Sequence, residues 1–309
     1  MMLGSTPSPL DGMLRRGVVN VDKPRGPTSH EVTAWVKRLC DVDKAGHAGT
    51  LDPKVSGVLP IALGAGTAVL EAMHVAPKEY VCVMRFHADV GRGVVDEIVE
   101  RFTGPVLQMP PLRSAVARRL RTRNISSLEI LEYEGRDLLF RTSCEAGTYV
   151  RTLCRDMGIA AGCGGNMREL RRSRSGDFTE AGASTLHALA DALELHRGGE
   201  SGPLERLMQP LESLVAHLPR VAMRDGAVDA VCHGAPLMVP GVEAFPEGCA
   251  KDSLLGMFTR SGEFVGLGTS AVDSKEFTGA RRGVAVKTKR VVMARGTYKK
   301  GWQPGAARP

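Results

Sequence analysis

The sequence predicts an α+β protein, with one large domain of interleaved strands and helices followed by a small β-domain. Three observations carry this. Period-two alternation marks strands such as Tyr80 to His87, and three-four spacing of apolar residues marks helices on either side of them. Beyond Pro219 the texture changes to short β-prone runs punctuated by Gly and Pro, as in Gly234-Ala235-Pro236 and Val239-Pro240-Gly241. The chain has 309 residues, 43% of them hydrophobic, which is more than one ordinary domain and ample for a buried core.

Taken in order, the first dozen residues read as a flexible tail, and Gly17 to Val21 reads as a strand broken by Lys23-Pro24-Arg25-Gly26-Pro27. A helix follows. Thr28 with Glu31 three residues on makes a capping box, and Val32, Trp35, Val36 and Leu39 fall on one face. Lys44 to Gly66, rich in Gly, reads as a functional loop leading into packed structure. Tyr80, Cys82, Met84 and Phe86 share one face of the next strand, and Leu138 to Cys144 forms another. After a turn at Glu145-Ala146-Gly147 comes a helix with Val150, Leu153, Cys154 and Met157 on one side and Thr148 as its cap. Leu186, Leu189, Ala190 and Leu193 repeat at helical spacing, His196 to Pro203 is a loop, and a short helix is expected over 204–214. The domain boundary falls near Leu218. No internal repeat is evident.

The formal charge of +7 points to a polyanionic partner, since a basic surface gains affinity by displacing counterions from phosphates. Seven cysteines without a C-x-x-C pair fit reduced thiols in a cytoplasmic protein better than disulfides or zinc, so no metal is expected. No stretch approaches the roughly 20 apolar residues of a membrane helix. A soluble protein that stays in the cytoplasm is the expectation.

The most informative segment is Gly46-His47-Ala48-Gly49-Thr50-Leu51-Asp52-Pro53, in which two glycines free the backbone and a carboxylate stands near the end. Asp52-Pro53 is also a good helix start, with Asp52 as N-cap and Pro53 in the first turn. Gly64-Ala65-Gly66 lacks both the third glycine of a dinucleotide fingerprint and the Gly-Lys-Ser/Thr of a P-loop. On residue type alone, Tyr80 fits a half-buried strand position, Arg151 a surface charge, Leu170 plain core and His47 a turn cap.

Gly46 to Pro60, together with Lys23 to His30, Lys78-Glu79-Tyr80, Gly147-Thr148-Tyr149-Val150-Arg151 and Glu169-Leu170-Arg171-Arg172, resembles the TruB/dyskerin family of pseudouridine synthases over about residues 18 to 178. The resemblance implies an RNA uridine isomerase without cofactor or metal. It implies a largely antiparallel mixed sheet flanked by helices over 17–217 and a small barrel-like PUA domain over 218–302, with flexible tails at 1–16 and 303–309. By the same resemblance Asp52 is the catalytic carboxylate, Tyr80 stacks on the base and assists loss of the C5 proton, Arg151 orients Asp52, and Leu170 walls the pocket. Tyr149 and His47 fall on supporting positions. Attack on C6, attack on C1′ and a glycal route are all compatible with Asp52, and each needs the uridine flipped out of its stack.

Five arginines, Arg113, Arg118, Arg119, Arg121 and Arg123, occur with no acidic residue among them, and with Lys23, Arg171 and Arg172 they are the expected RNA contacts. Arg168 and Arg174 join that second group. After Glu276 there are nine Lys or Arg and no acid. The text from Pro111 to Arg123 and from Ala227 to Leu237 resembles the archaeal dyskerin branch, which implies an H/ACA guide RNA and small partners of the Nop, Gar and kink-turn-binding classes. Met109, Ala117 and Lys299 depart from that pattern, where Arg, Lys and Pro respectively are expected. A guide-independent transfer-RNA pseudouridine synthase is the alternative, and a non-catalytic RNA scaffold the different-class rival.

Overall fold

The computed structural model describes residues 9–110 and 119–299. The described residues form two compact units, those up to 64 together with those of 73–210, and 65–72 together with 211–299.

The larger unit is built on a ten-stranded sheet. Its path runs Met208–Gln209, Val18–Lys23, Ser56–Leu63, Gly165–Ser175, Lys78–Phe86, Asp137–Cys144, Arg121–Glu134 and Gly104–Gln108, with Ala45–His47 and Phe178–Thr179 paired at its side. The strands pair antiparallel, apart from a short parallel contact of Ser56 and Gly57 with Arg171 and Arg172 and an isolated parallel bridge from Val21 to Ser184. The former joins the strand leaving the Gly46–Pro53 loop to the strand carrying Leu170. Gly57, at φ +105°, permits it, since a Cβ there would lie 2.2 Å from the Arg172 carbonyl oxygen.

Two cores lie on this sheet. In one, Val19, Val21, Leu59 and Ile61 pack with Val32 and Val36 of helix Ser29–Leu39 and Leu189 and Leu193 of helix Leu186–Arg197. In the other, Cys82, Met84, Phe86, Leu138 and Phe140 meet Val150, Leu153, Cys154 and Met157 of helix Val150–Ala160, and Val95 and Ile98 of helix Arg92–Arg101. The alternation at Tyr80 to Phe86 and the helical face at Val150 to Met157 are therefore the core-facing residues expected. The capping box at Thr28 and Glu31 is present.

Several local expectations fail for identifiable reasons. Trp35 is not core: it is 36% exposed, and Val32 and Val36 do the burying. The helix expected over 204–214 stops at Leu207, because Met208 and Gln209 pair with Val19 and Val18 as a sheet edge, and Pro210 follows. Residues 9–16 form helix Pro9–Arg16 instead of flexible tail, its Leu10 buried among the first core. Helix Arg92–Arg101 and the long Arg121–Glu134 strand were not anticipated.

The smaller unit is a barrel-like mixed sheet of six strands, in the order Leu237–Met238, Val284–Val291, Phe264–Ser270, Leu254–Thr259, Arg220–Met223 and Val242–Ala244. Its core is Val221, Met223, Val228, Val231, Leu255, Met257, Val265 and Val286. Among the described residues no helix is long and apolar enough to cross a membrane, and all seven cysteines are free thiols.

Gly57→Ala is expected to lower the unfolding midpoint of the larger unit by about 4–8 °C, as roughly 2 kcal/mol of backbone clash and positive-φ strain would do. Calorimetry showing an unchanged midpoint would mean that the parallel contact is not the tight junction described.

Candidate active site

The Gly46–Pro53 loop is held from below by groups far apart in sequence. The buried Ser29 hydroxyl accepts from the Leu51 amide at 2.8 Å and donates to the Leu51 carbonyl at 3.0 Å. The Gly26 amide donates to the Pro53 carbonyl, and the Val55 amide closes a turn onto the Asp52 carbonyl. No helix starts at Asp52, so its helix-cap reading falls away. Its carboxylate is left to side-chain chemistry.

Three cationic side chains are buried beneath this loop. Arg172, 1% exposed, donates from Nη1 to the Gly49 carbonyl and from Nε to the Val58 carbonyl, each at 2.8 Å. Lys23, fully buried, donates to the carbonyls of Pro24 and Val55. Lys78 donates to those of Met73 and Ala76. Their hydrogen bonds go to carbonyls, not carboxylates, which costs more than an exposed ion would. Burial and the nearby Arg172 charge push the Lys78 amine down to about 7, and burial likewise lowers Lys23. Gly49 at φ +77° is required here, since its Cβ would stand 3.2 Å from Arg172 Nη1.

Burial also lowers the His47 imidazole to about 4, with the charges of His30 and Arg172 acting in the same direction. The Thr33 hydroxyl already donates to the Ser29 carbonyl, so at 2.8 Å it accepts from His47 Nδ1–H. His47 Nε2 then faces the Thr50 hydroxyl at 3.4 Å, and the His30 ring meets the His47 ring edge-on at 4.8 Å between centroids. The neutral imidazole is thus a strut for the loop.

Asp52 projects outward. Its Oδ2 accepts from Nη2 of Arg151 in the first turn of helix Val150–Ala160, across 99 residues of sequence. Both side chains are more than half exposed, so the pair orients a carboxylate that stays open to a ligand and contributes little to stability. The N-cap of that helix is Tyr149, not Thr148; the Thr148 hydroxyl bonds instead to the Glu145 carbonyl. Buried Gln108 bonds both the amide and the carbonyl of Tyr149, fixing the helix entry. Half-buried Tyr80 sits directly across the strand pair from Arg172, and Leu170 across from Cys82 two residues on, so Tyr80 and Leu170 share a face at the edge of the second core. Burial raises the Tyr80 phenol, the Arg172 charge draws it back, and Cys144 and Asp52 press it upward again. Asp52, Arg151, Tyr80, Leu170, Tyr149 and His47 therefore belong to one assembly.

The expected RNA contacts divide. Lys23 and Arg172 are buried, so neither presents its charge to a phosphate. Arg171 forms a two-pronged pair with Asp22 at 2.9 and 3.0 Å and also bonds Glu180, and Arg123 pairs with Glu145. Arg119 is exposed just before strand Arg121–Glu134, and Arg121, its first residue, is half-buried. Arg113 and Arg118 lie outside the described residues, as does Ala117. Sequence reasoning missed Ser29, Gln108 and the structural use of Lys78. Ser29 follows a cap residue and Lys78 opens a strand motif, but nothing local says what either side chain will bond. Among the described residues no cluster of three or more His, Cys, Asp or Glu side chains is placed to hold a metal ion.

Residues 37–93 match the model of the TruB family pseudouridylate synthase N-terminal domain, and 151–216 that of the tRNA pseudouridylate synthase B C-terminal domain. Residues 219–292 match the PUA domain and 2–33 the DKCLD domain. The chain is 48% identical to a probable tRNA pseudouridine synthase B of Methanosarcina mazei, covering 95% of this chain and 87% of the relative. It is 50% identical to its namesake in Methanopyrus kandleri, again covering 95% and 87%. Among solved structures, a Cbf5-Nop10-Gar1 complex matches at TM-score 0.90 and 46% identity over 93% of this chain and 88% of that one. An H/ACA RNP bound to a substrate RNA containing 2'-deoxyuridine matches at TM-score 0.87 and 44% identity over 96% and 90%.

The His47 ring should titrate near pH 4 by NMR, well below the ordinary 6.5. Because the folded value is depressed, the unfolded chain takes the proton first. This contribution to stability is complete above about pH 6.5 and is lost as pH falls towards 4. A ring titrating near 6.5 in the native protein would remove His47 from its role as a neutral strut.

Proposed function

The chain belongs to the TruB family of pseudouridylate synthases, and on that premise we propose that Asp52 is the carboxylate that opens the N-glycosidic bond of a flipped uridine. The protein is an RNA pseudouridine synthase: the bond from C1′ to N1 breaks, the same uracil turns, C5 joins C1′, the C5 proton leaves and the freed N1 takes one up. Its substrate atoms are all kept, so the work is positioning and proton transfer. The observation that carries the reading is the Arg151–Asp52 pair, open to solvent beside Tyr80 while Lys23 and Arg172 under the loop are buried.

In this reading Arg151 aims the carboxylate, Tyr80 stacks on the base and assists proton removal from C5, and Leu170 excludes water from one side. Tyr149 sets the start of the Arg151 helix, and His47 holds the loop. C6 attack, C1′ attack and glycal formation all run through Asp52. Arg119 and Arg121, with Arg113 and Arg118 of the same run, are proposed phosphate contacts. Residues 17–217 are proposed as the catalytic domain and 218–302 as a PUA domain that grips RNA.

The solved relatives in complexes with Nop10 and Gar1, and in an H/ACA particle with substrate RNA, favour work inside such a particle. A guide RNA would then choose the uridine, and a kink-turn-binding protein would complete the assembly. The name shared by the curated relatives favours a second reading, modification of transfer RNA without a guide. The free thiols fit a reducing compartment, and cytoplasmic action is proposed. A pure RNA scaffold is disfavoured by the oriented Asp52–Arg151 pair.

Asp52→Asn should bind RNA within about twofold of the native protein and lose at least roughly 1,000-fold in single-turnover pseudouridine formation. Substantial residual product would reject Asp52 as the catalyst. Assays on ribosomal and transfer-RNA substrates, with and without H/ACA guide and partner proteins, separate the two substrate readings: turnover of naked transfer RNA at the guided rate would reject guide dependence.

A further inference from the structure

Of the three buried cations, Arg172 alone touches the loop on both sides of Asp52 and also faces a second group of the site. Its Nη1 holds the carbonyl of Gly49, three residues before Asp52, and its Nε the carbonyl of Val58, six residues after. Its remaining nitrogen, Nη2, is buried and makes no hydrogen bond among the described residues. Opposite Arg172 in the strand pair stands Tyr80. The register shifts between Glu79 and Tyr80, where Ser173 is the extra residue, and this shift brings Tyr80 level with Arg172.

A buried guanidinium ordinarily finds a carboxylate. Here the charged or titratable neighbours are Lys23, Lys78, His47 and Tyr80, and only the Tyr80 phenol can offset its charge. A neutral side chain of similar volume would fill this space at lower electrostatic cost. It could not donate to the carbonyls of Gly49 and Val58 on either side of Asp52 while standing across the strand pair from Tyr80.

We propose that Arg172 is a positioning residue for uridine isomerisation, setting the placement of the Tyr80 ring and hydroxyl relative to the turn that carries Asp52. This rests on the roles given above to Asp52 and Tyr80. Arg172 acts through them and touches no substrate. Its guanidinium also stabilises negative charge on the Tyr80 oxygen, and so bears on any step in which that phenol takes the C5 proton. Besides Arg172, the groups acting on that oxygen are Cys144 and Asp52.

The test uses the full chain carrying Arg172→Lys or Arg172→Met, alone and with Tyr80→Phe, together with a form bearing 3-fluorotyrosine at position 80. Arg172→Lys should slow single-turnover product formation by RNA-bound enzyme by on the order of 10- to 100-fold. RNA affinity and its salt dependence should stay within about twofold of native. In the Tyr80→Phe background the same change should cost clearly less, and the fluorine titration of residue 80 should move to higher pH in Arg172→Met. If Arg172→Met does not fold, the kinetic cycle with Arg172→Lys carries the decision.

Weakened RNA binding with a shallower salt dependence and an unchanged bound-state rate would overturn the proposal in favour of a phosphate contact. Equal losses with and without the Tyr80 hydroxyl would overturn it in favour of simple packing, as would an unmoved fluorine titration. Active Asp52→Asn would instead sink the catalytic reading, and the fluorine titration, which needs no turnover, would still test the link from Arg172 to Tyr80.

Discussion

A guanidinium enclosed without a carboxylate is the constraint around which the larger unit is arranged. Its neighbours yield: burial, with the Arg172 charge acting in the same direction, lowers Lys78 to about 7 and His47 to about 4. The backbone yields as well. Gly57 brings its chain against the Arg172 carbonyl, and Gly49 leaves room for the guanidinium tip. The loop is consequently shaped by hydrogen-bond geometry to carbonyls, which is more directional than hydrophobic packing.

The site is layered by accessibility. Asp52 and Arg151 lie in the open, Tyr80 and Leu170 are half-buried, and Ser29, Lys23, Arg172 and Gln108 are out of reach of solvent. Exposed groups can meet a nucleotide without first shedding protein contacts, while buried groups hold them still. The same division sorts the arginines: Arg171 and Arg123, committed to Asp22 and Glu145, stiffen the frame.

Much of the frame was legible in the sequence because it rests on local pattern. Alternation at Cys82, Met84 and Phe86, helical spacing at Val150 to Met157, and the Thr28 capping box all depend on neighbours within a few residues. The Asp52 motif was legible through resemblance, since Asp-Pro alone equally describes a helix start. What escaped was long-range. Lys23 and Arg172 look like surface charges until the chain wraps carbonyls around them, Trp35 looks like core until Val32 and Val36 take the inner face, and the expected 204–214 helix yields to an edge pairing with Val18 and Val19 nearly 200 residues away.

The parallel contact between Gly57 and Arg172 also bears on the order of assembly. Its two partners are separated by more than a hundred residues, as nearly are Asp52 and Arg151. Contacts of such span form late, because a long loop must be closed before they reward it. A growing polypeptide cannot close this junction until the strand bearing Arg172 has been synthesised and added to the sheet. Until then the Gly46–Pro53 loop lacks the guanidinium that binds its Gly49 carbonyl.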